Sequence, residues 1–293
     1  MSSGAAEGLL VLDKPLGWTS HDAVARVRRL AGIRRVGHAG TLDPLATGVL
    51  LLGLGRATRL LGHLALHDKE YLATIRLGVS TVTDDAEGDI VSERDAGAVS
   101  DLALREAIGH LTGPLLQIPS AVSAIKVDGV RSYTRVRSGE HVVLAARPVT
   151  VPRFEVLTRC GDYLGVLVEC STGTYVRALA RDLGAALGVG AHLTALRRTR
   201  VGPFGLHQAI SVAALTDLGP GRLPILALAH AVDAVFPRRE LDQAQAIEIR
   251  HGRRLPPTGV PGVHGAFAPT GELLALVEDI DGAARPVVVF APT

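Results

Sequence analysis

Cysteine is nearly missing from this chain: only Cys160 and Cys170 occur in 293 residues. So few thiols exclude a disulfide-built scaffold, and their spacing matches no metal-binding pattern. They read as plain thiols at the two ends of a hairpin. Aromatic residues are also scarce at 3%, with a single Trp and four Tyr, so the apolar mass comes from Leu, Val and Ala. No apolar run is long enough to cross a bilayer; the longest, Val49 to Leu54, is far too short. The start of the chain has no basic segment followed by an apolar run and a cleavage site, so no signal peptide is expected. These absences lead to the expectation of a soluble, cytoplasmic protein without a metal.

What remains is 47% hydrophobic, with 33 Gly and 16 Pro. That suits a compact α/β chain with many turns and a sizeable core. Net charge is only +2, but the charges are segregated. Arg26, Arg28, Arg29, Arg34 and Arg35 crowd one stretch, and Arg131, Arg135, Arg137 and Arg147 a second. Arg197, Arg198 and Arg200 form a third, and Arg250, Arg253 and Arg254 a fourth. Acidic residues gather around Asp84, Asp85, Glu87, Asp89, Glu93 and Asp95. Such segregation suits a basic face for phosphates with an acidic loop turned away, and equally suits solvated helix faces.

Along the chain, Gly8 to Leu12 predicts a strand. Thr19 or Ser20 then caps a helix through Ala31, with Val24, Val27 and Leu30 inward and Gly32 as its stop. Gly37 to Gly48 reads as a Gly/Thr-rich loop, Val49 to Leu54 as a buried strand and Tyr71 to Leu77 as an alternating one. A helix is predicted from Asp101 to Leu111, strands over Val149 to Arg159 and Gly165 to Cys170, a helix over Thr174 to Leu187, and a strand within His192 to Phe204. Pro119 to Pro148 is a basic excursion with little amphipathic pattern and a hairpin signal at Asp128-Gly129. An excursion of this length usually serves function. Beyond Arg238, small strands separated by Pro269-Thr270-Gly271 and Asp281-Gly282 predict a C-terminal β module.

The most informative segment is Gly37-His38-Ala39-Gly40-Thr41-Leu42-Asp43-Pro44-Leu45-Ala46-Thr47-Gly48. Pro44 biases Asp43 toward extended backbone, glycines permit close approach of a ligand, and the strand behind gives a rigid mount. By itself Asp43 reads as a turn residue.

The segment also resembles the signature of the TruB family of tRNA pseudouridine-55 synthases. Gly8 to Ser20, Lys69 to Gly78, Gly173 to Gly184 and Ala191 to Thr199 resemble further blocks of that family, in order. The resemblance implies an α+β fold, with a central mixed, mostly antiparallel sheet flanked by helices and a small PUA-like C-terminal module. It implies residues 1–235 as catalytic domain, with 118–148 as an RNA-gripping insertion, and 236–293 as the RNA-binding module. Ala39 stands where the family most often has threonine, and the C-terminal module matches poorly.

The implied reaction breaks the N1–C1′ bond of uridine 55 in the tRNA T-loop, turns the base and joins C5 to C1′, without cofactor. Asp43 would be the reacting carboxylate, either as nucleophile or as base for the 2′ proton. Arg177 would pair with it and keep it ionised. Tyr71 would stack on the flipped base, with Tyr175 and Leu196 as pocket walls. His38 would fill the space the base leaves. Lys14, grouped with the RNA-binding residues, would support the active-site loop, and Arg131, Arg135 and Arg137 would contact phosphates. The partner is the T-arm of tRNA; no guide RNA and no membrane are expected, and the chain is expected to be a monomer. Three alternatives remain: an RNA-folding chaperone on the same fold, a glycoside or nucleoside hydrolase with two framing carboxylates, and a guide-RNA-dependent synthase.

Overall fold

A computed structural model describes residues 7–121, 126–127, 130–131 and 144–290, the two short pieces as backbone only. The strands in chain order are β1 (Gly8–Lys14), β2 (Val36–Ala39), β3 (Ala46–Leu54), β4 (Lys69–Leu77), β5 (Val79–Thr81), β6 (Ile90–Glu93) and β7 (Gly113–Gln117). They continue with β8 (Lys126–Val127), β9 (Val130–Arg131), β10 (Arg147–Val151), β11 (Arg153–Cys160), β12 (Tyr163–Cys170), β13 (Ala191–Val201), β14 (Phe204–Gly205) and β15 (Ile210–Ser211). The C-terminal part adds β16 (Arg238–Glu240), β17 (Val263–Phe267), β18 (Leu273–Ile280) and β19 (Ala283–Val289).

The main sheet runs β11-β12-β4-β13-β3-β1-β15, with β14 on β13 and β2 on β3. Its pairs are antiparallel except β13 with β3 and β1 with β15. A mixed, mostly antiparallel sheet is therefore what forms. It is covered on both faces near its centre, which explains why β1 and β3 read as continuous apolar runs rather than as alternation. Leu10, Leu12, Leu50, Leu52 and Leu54 face a core shared with the helices Ser20–Ala31, Asp101–His110 and Val176–Ala186. Leu9, Val11, Val49 and Leu51 face the opposite side, where Phe267, Leu273, Leu276 and Phe290 of the C-terminal strands meet them. The order β16-β17-β18-β19 makes a second sheet packed against the first.

The helix after β1 forms as its sequence dictates. Thr19 and Asp22 make a reciprocal capping box, and Gly32 closes the helix in the left-handed region at φ 66°. The helix Val176–Ala186 keeps its apolar stripe inward through Val176, Leu179, Ala180 and Leu183.

Two expectations change. Val36–Ala39 is a strand on β3, not loop, so the loop proper spans only residues 40–45. The stretch Val149 to Arg159 is two strands broken at Pro152: β10 pairs with β7 in a separate sheet, and β11 edges the main sheet. Proline supplies no ladder donor, so pairing changes partner there. The hairpin signal at Asp128-Gly129 has β8 and β9 paired antiparallel around it; the two turn residues lie outside the described residues.

The topology leaves one notch. Along one edge of β3, its first residues pair with β13 through Leu196↔Ala46 and its last with β2 through Ala39↔Leu51. The loop 40–45 emerges where β13 and β2 part. Gly48 permits the β13–β3 approach: its φ is 99°, and a Cβ there would stand 2.2 Å from the Arg198 carbonyl oxygen.

Candidate active site

Backbone contacts pin the loop before any catalytic group is considered. Ser20, fully buried, donates through Oγ to the Leu42 carbonyl at 3.1 Å and accepts from Leu42 N–H at 2.9 Å. Gly17 N–H donates to the Pro44 carbonyl at 2.9 Å, and Ala46 N–H to the Asp43 carbonyl at 3.0 Å. Asp43 is thus held at the rim of a cleft of about 280 Å³, whose lining includes Thr41, Tyr71, Tyr175, Val176, Arg177, Leu196 and Arg198. Most of the side chains expected in a pocket meet here.

Arg177 is buried at the start of its helix, and its Nη2 lies 3.0 Å from Asp43 Oδ2. The same guanidinium reaches Asp85 Oδ2 at 3.3 Å and donates to the Thr83 carbonyl at 2.9 Å. Asp85 is buried and accepts from Thr83 Oγ1 at 2.5 Å and from Glu87 N–H at 3.1 Å. Asp84 is buried beside it and pairs with Arg181 at 3.2 Å. Burial pushes the Asp84 carboxyl up. Burial also raises Glu87, with Asp85 and then Asp43 as further contributors. The acidic loop expected to face away therefore turns part of itself inward, and Asp85 becomes the second carboxylate on Arg177. Nothing local in the sequence separates Asp84 and Asp85 from the rest of that run.

Tyr71 lies on β4 with a buried ring, and burial raises its phenol; the nearby Arg198 acts in the opposite direction. Tyr175 is half-buried, and Gln117 clamps its backbone, accepting from Tyr175 N–H at 2.8 Å and donating to its carbonyl at 3.1 Å. Leu196 is half-buried on β13 beside Ala46. His38 is half-buried on β2, edge-on to His21 with ring centroids 5.5 Å apart, and its Nδ1 is buried without a hydrogen-bond partner. Burial, then the neighbouring His21 and Arg198, lower its pKa.

Lys14 lies where an RNA contact was expected, but its side chain is fully buried. Its Nζ donates to the Pro15 carbonyl at 2.9 Å and the Trp18 carbonyl at 2.6 Å. It holds the turn behind Asp43, in keeping with support of that loop, and burial lowers its pKa to about 8. Arg131 is described only as backbone in β9, and Arg135 and Arg137 lie outside the described residues.

The third basic cluster does not form one face. Arg197 pairs with Asp13 at 2.7 Å and Arg200 with Glu169 at 3.3 Å. Arg198 turns inward, donating to the carbonyls of Val49 at 2.7 Å and Gly40 at 2.8 Å. Sequence reasoning missed it, along with Lys69, whose buried Nζ donates to the Ala65 and His67 carbonyls. Among the described residues no group of three or more His, Cys, Asp or Glu is arranged to hold a metal ion, and no helix is long and apolar enough to cross a membrane.

With this geometry in hand, the comparisons are consistent. Residues 28–176 match the profile of the TruB family pseudouridylate synthase N-terminal domain. Residues 177–219 match that of the tRNA pseudouridylate synthase B C-terminal domain, and 236–291 that of tRNA pseudouridine synthase II, C-terminal. The chain is 56% identical to tRNA pseudouridine synthase B of Arthrobacter sp. strain FB24, covering 98% of this chain and 97% of the relative. It is 55% identical to the protein of that name from Thermobifida fusca, over 98% and 99%. Among solved structures, the Cbf5-Nop10-Gar1 complex has a chain that superposes at TM-score 0.76 and 28% identity, covering 97% of this chain and 85% of the other. A chain of an H/ACA RNP bound to a substrate RNA superposes at 0.73 and 26%, over 97% and 85%.

Proposed function

The chain belongs to the TruB family of pseudouridylate synthases, and from that premise we propose that it isomerises uridine 55 in the T-loop of tRNA with Asp43 as the reacting carboxylate. It is a tRNA pseudouridine synthase; the position and the residue roles are our reading. The observation that carries the roles is the 3.0 Å pair between Arg177 and Asp43 at the mouth of a cleft whose inner wall is the Tyr71 ring.

An everted uridine enters the cleft with its ribose at the rim and its base against Tyr71. Asp43, kept ionised by the guanidinium, either bonds C1′ or removes the 2′ proton as the N1–C1′ bond breaks. The base turns within the cleft and C5 bonds C1′ as the Asp43–C1′ bond breaks or, on the other route, as the proton is returned to C2′; the C5 proton then leaves and N1 takes one up. The net change is an isomerisation, so atoms and electrons balance without a cofactor. Tyr71 and Leu196 supply apolar surface against which the base stays bound during its turn. His38 fills the stack the base vacates, and residues 118–148 with Arg131, Arg135 and Arg137 grip the T-arm backbone. The C-terminal sheet acts as a PUA-like RNA-binding module, and the enzyme works as a cytoplasmic monomer without guide RNA. A chaperone acting without chemistry has less support, because the buried Arg177 is held aimed at Asp43 from two further sides, by Asp85 and the Thr83 carbonyl.

The test is release of tritium from C5 of uridine in a tRNA transcript. Wild type releases it without added cofactor, and Asp43→Asn releases none while still binding the transcript. A fully active Asp43→Asn enzyme removes the proposed role.

A further inference from the structure

The cleft holds more positive charge than the proposed carboxylate chemistry uses. The buried Lys69, Arg177 and Arg198 line it, and Lys14 is buried behind the Asp43 loop. The carboxylates in contact with this group are Asp43 and Asp85, and both are engaged by Arg177. The other three cations hydrogen-bond to backbone carbonyls: Pro15 and Trp18, Ala65 and His67, Gly40 and Val49. Carbonyl dipoles satisfy N–H groups but carry no full negative charge, so a cationic floor lies under apolar walls. Such a floor is unfavourable until an anion arrives. The two lysines register this: burial first, with Arg198 acting in the same direction, brings each to about 8, although the Asp43 carboxylate partly offsets the effect at Lys14.

The reaction itself supplies an anion. When the C1′–N1 bond breaks, its electron pair stays on the base, and the negative charge spreads over N1 and the two carbonyl oxygens of the detached uracil. We propose that Arg198, backed by Lys69, is the catalytic cation that stabilises this uracil anion while it turns. The inference rests on the reading of the preceding subsection. Arg198 lines the cleft beside the Tyr71 hydroxyl, on the wall against which that reading places the base. Gly40 makes the approach possible: its φ is 70°, and a Cβ there would sit 3.3 Å from Arg198 Nη1 and 3.5 Å from Lys69 Cε. The nucleotide's phosphates stay with the strand at the cleft mouth, so the base is the anion that reaches this floor. A fixed cation in a water-excluded site acts on charge that develops during the reaction, so it speeds bond cleavage more than it strengthens binding.

The experiment compares single-turnover loss of the N-glycosidic nucleoside in two tRNA transcripts, one with uridine and one with 5-fluorouridine at the target. Fluorine stabilises the departing base anion and lessens its need for the protein's cation. Arg198→Gln is expected to slow the uridine substrate by roughly 100-fold or more, the scale seen for loss of one anion-stabilising donor, with tRNA Kd changed less than about threefold. On the fluorinated substrate the loss shrinks by about tenfold, and Arg198→Lys recovers part of it on uridine. Because Arg198 also ties two backbone segments, Lys69→Met serves as a second variant and shows the same pattern at smaller amplitude. Equal losses on both substrates, or a loss that follows Kd, overturn the proposal. Failure of the parent reading looks different: the wild-type enzyme then converts neither transcript.

Discussion

Replacing Arg177 by Met separates its structural role from its chemical one. The guanidinium and the Asp85 carboxylate are both buried, with side-chain exposures of 6% and 5%, and lie 3.3 Å apart. Removing the cation leaves Asp85 charged and uncompensated, which costs about 3–5 kcal/mol. Asp43 adds little to this figure because its side chain is 43% exposed and water screens it. Asp85→Asn alone leaves Arg177 with Asp43 and the Thr83 carbonyl, and costs about 1–3 kcal/mol. The double variant removes both buried charges, so its destabilisation falls short of the sum by roughly 2 kcal/mol. Urea unfolding at constant m-value reads the stabilities, and single-turnover pseudouridine formation reads the chemistry. The double variant is therefore about as stable as Arg177→Met rather than less stable, and stays as inactive, because Asp43 still lacks its guanidinium. Additive stabilities would show that Asp85 and Arg177 do not share a buried pair, and recovered activity would show that Asp43 does not need the cation.

Two further outcomes follow from the charges. Lys14 and Lys69 titrate at about 8 in the native state, against about 10.4 in an unfolded chain. Between those values the unfolded state holds more protons, so both groups make the protein more stable as pH rises from about 8 to 10.4; Lys69→Met should flatten that rise in urea midpoints, and an unchanged slope would refute the burial of its charge. Neutralising Arg131, Arg135 and Arg137 together should lower the slope of log affinity for tRNA against log salt by about 0.7–0.9 for each phosphate that the protein no longer neutralises, measured by filter binding, and an unchanged slope would remove these residues from the RNA grip.

How much of this was legible beforehand depends on the range of the interaction concerned. The helix start at Thr19 or Ser20, the stop at Gly32, the alternation of β4 and the burial of β3 involve neighbours along the chain, and the sequence by itself determined them. The ordered motif blocks likewise marked Asp43, Arg177 and Tyr71 before any contact was known. Which way the charges point was decided only by tertiary structure. In Arg197-Arg198-Thr199-Arg200, two side chains find carboxylates at Asp13 and Glu169 while Arg198 turns into the core. β13 shifts register against β4 between Leu193 and Ala195 and again between Arg198 and Arg200, and a one-residue shift exchanges the faces of a strand. The acidic loop behaves in the same way: Asp84 and Asp85 bury because Arg181 and Arg177 approach them from a helix nearly a hundred residues later. A charge enters the interior only where distant segments supply its partner, so its burial belongs to the assembled sheet and not to the local run of residues.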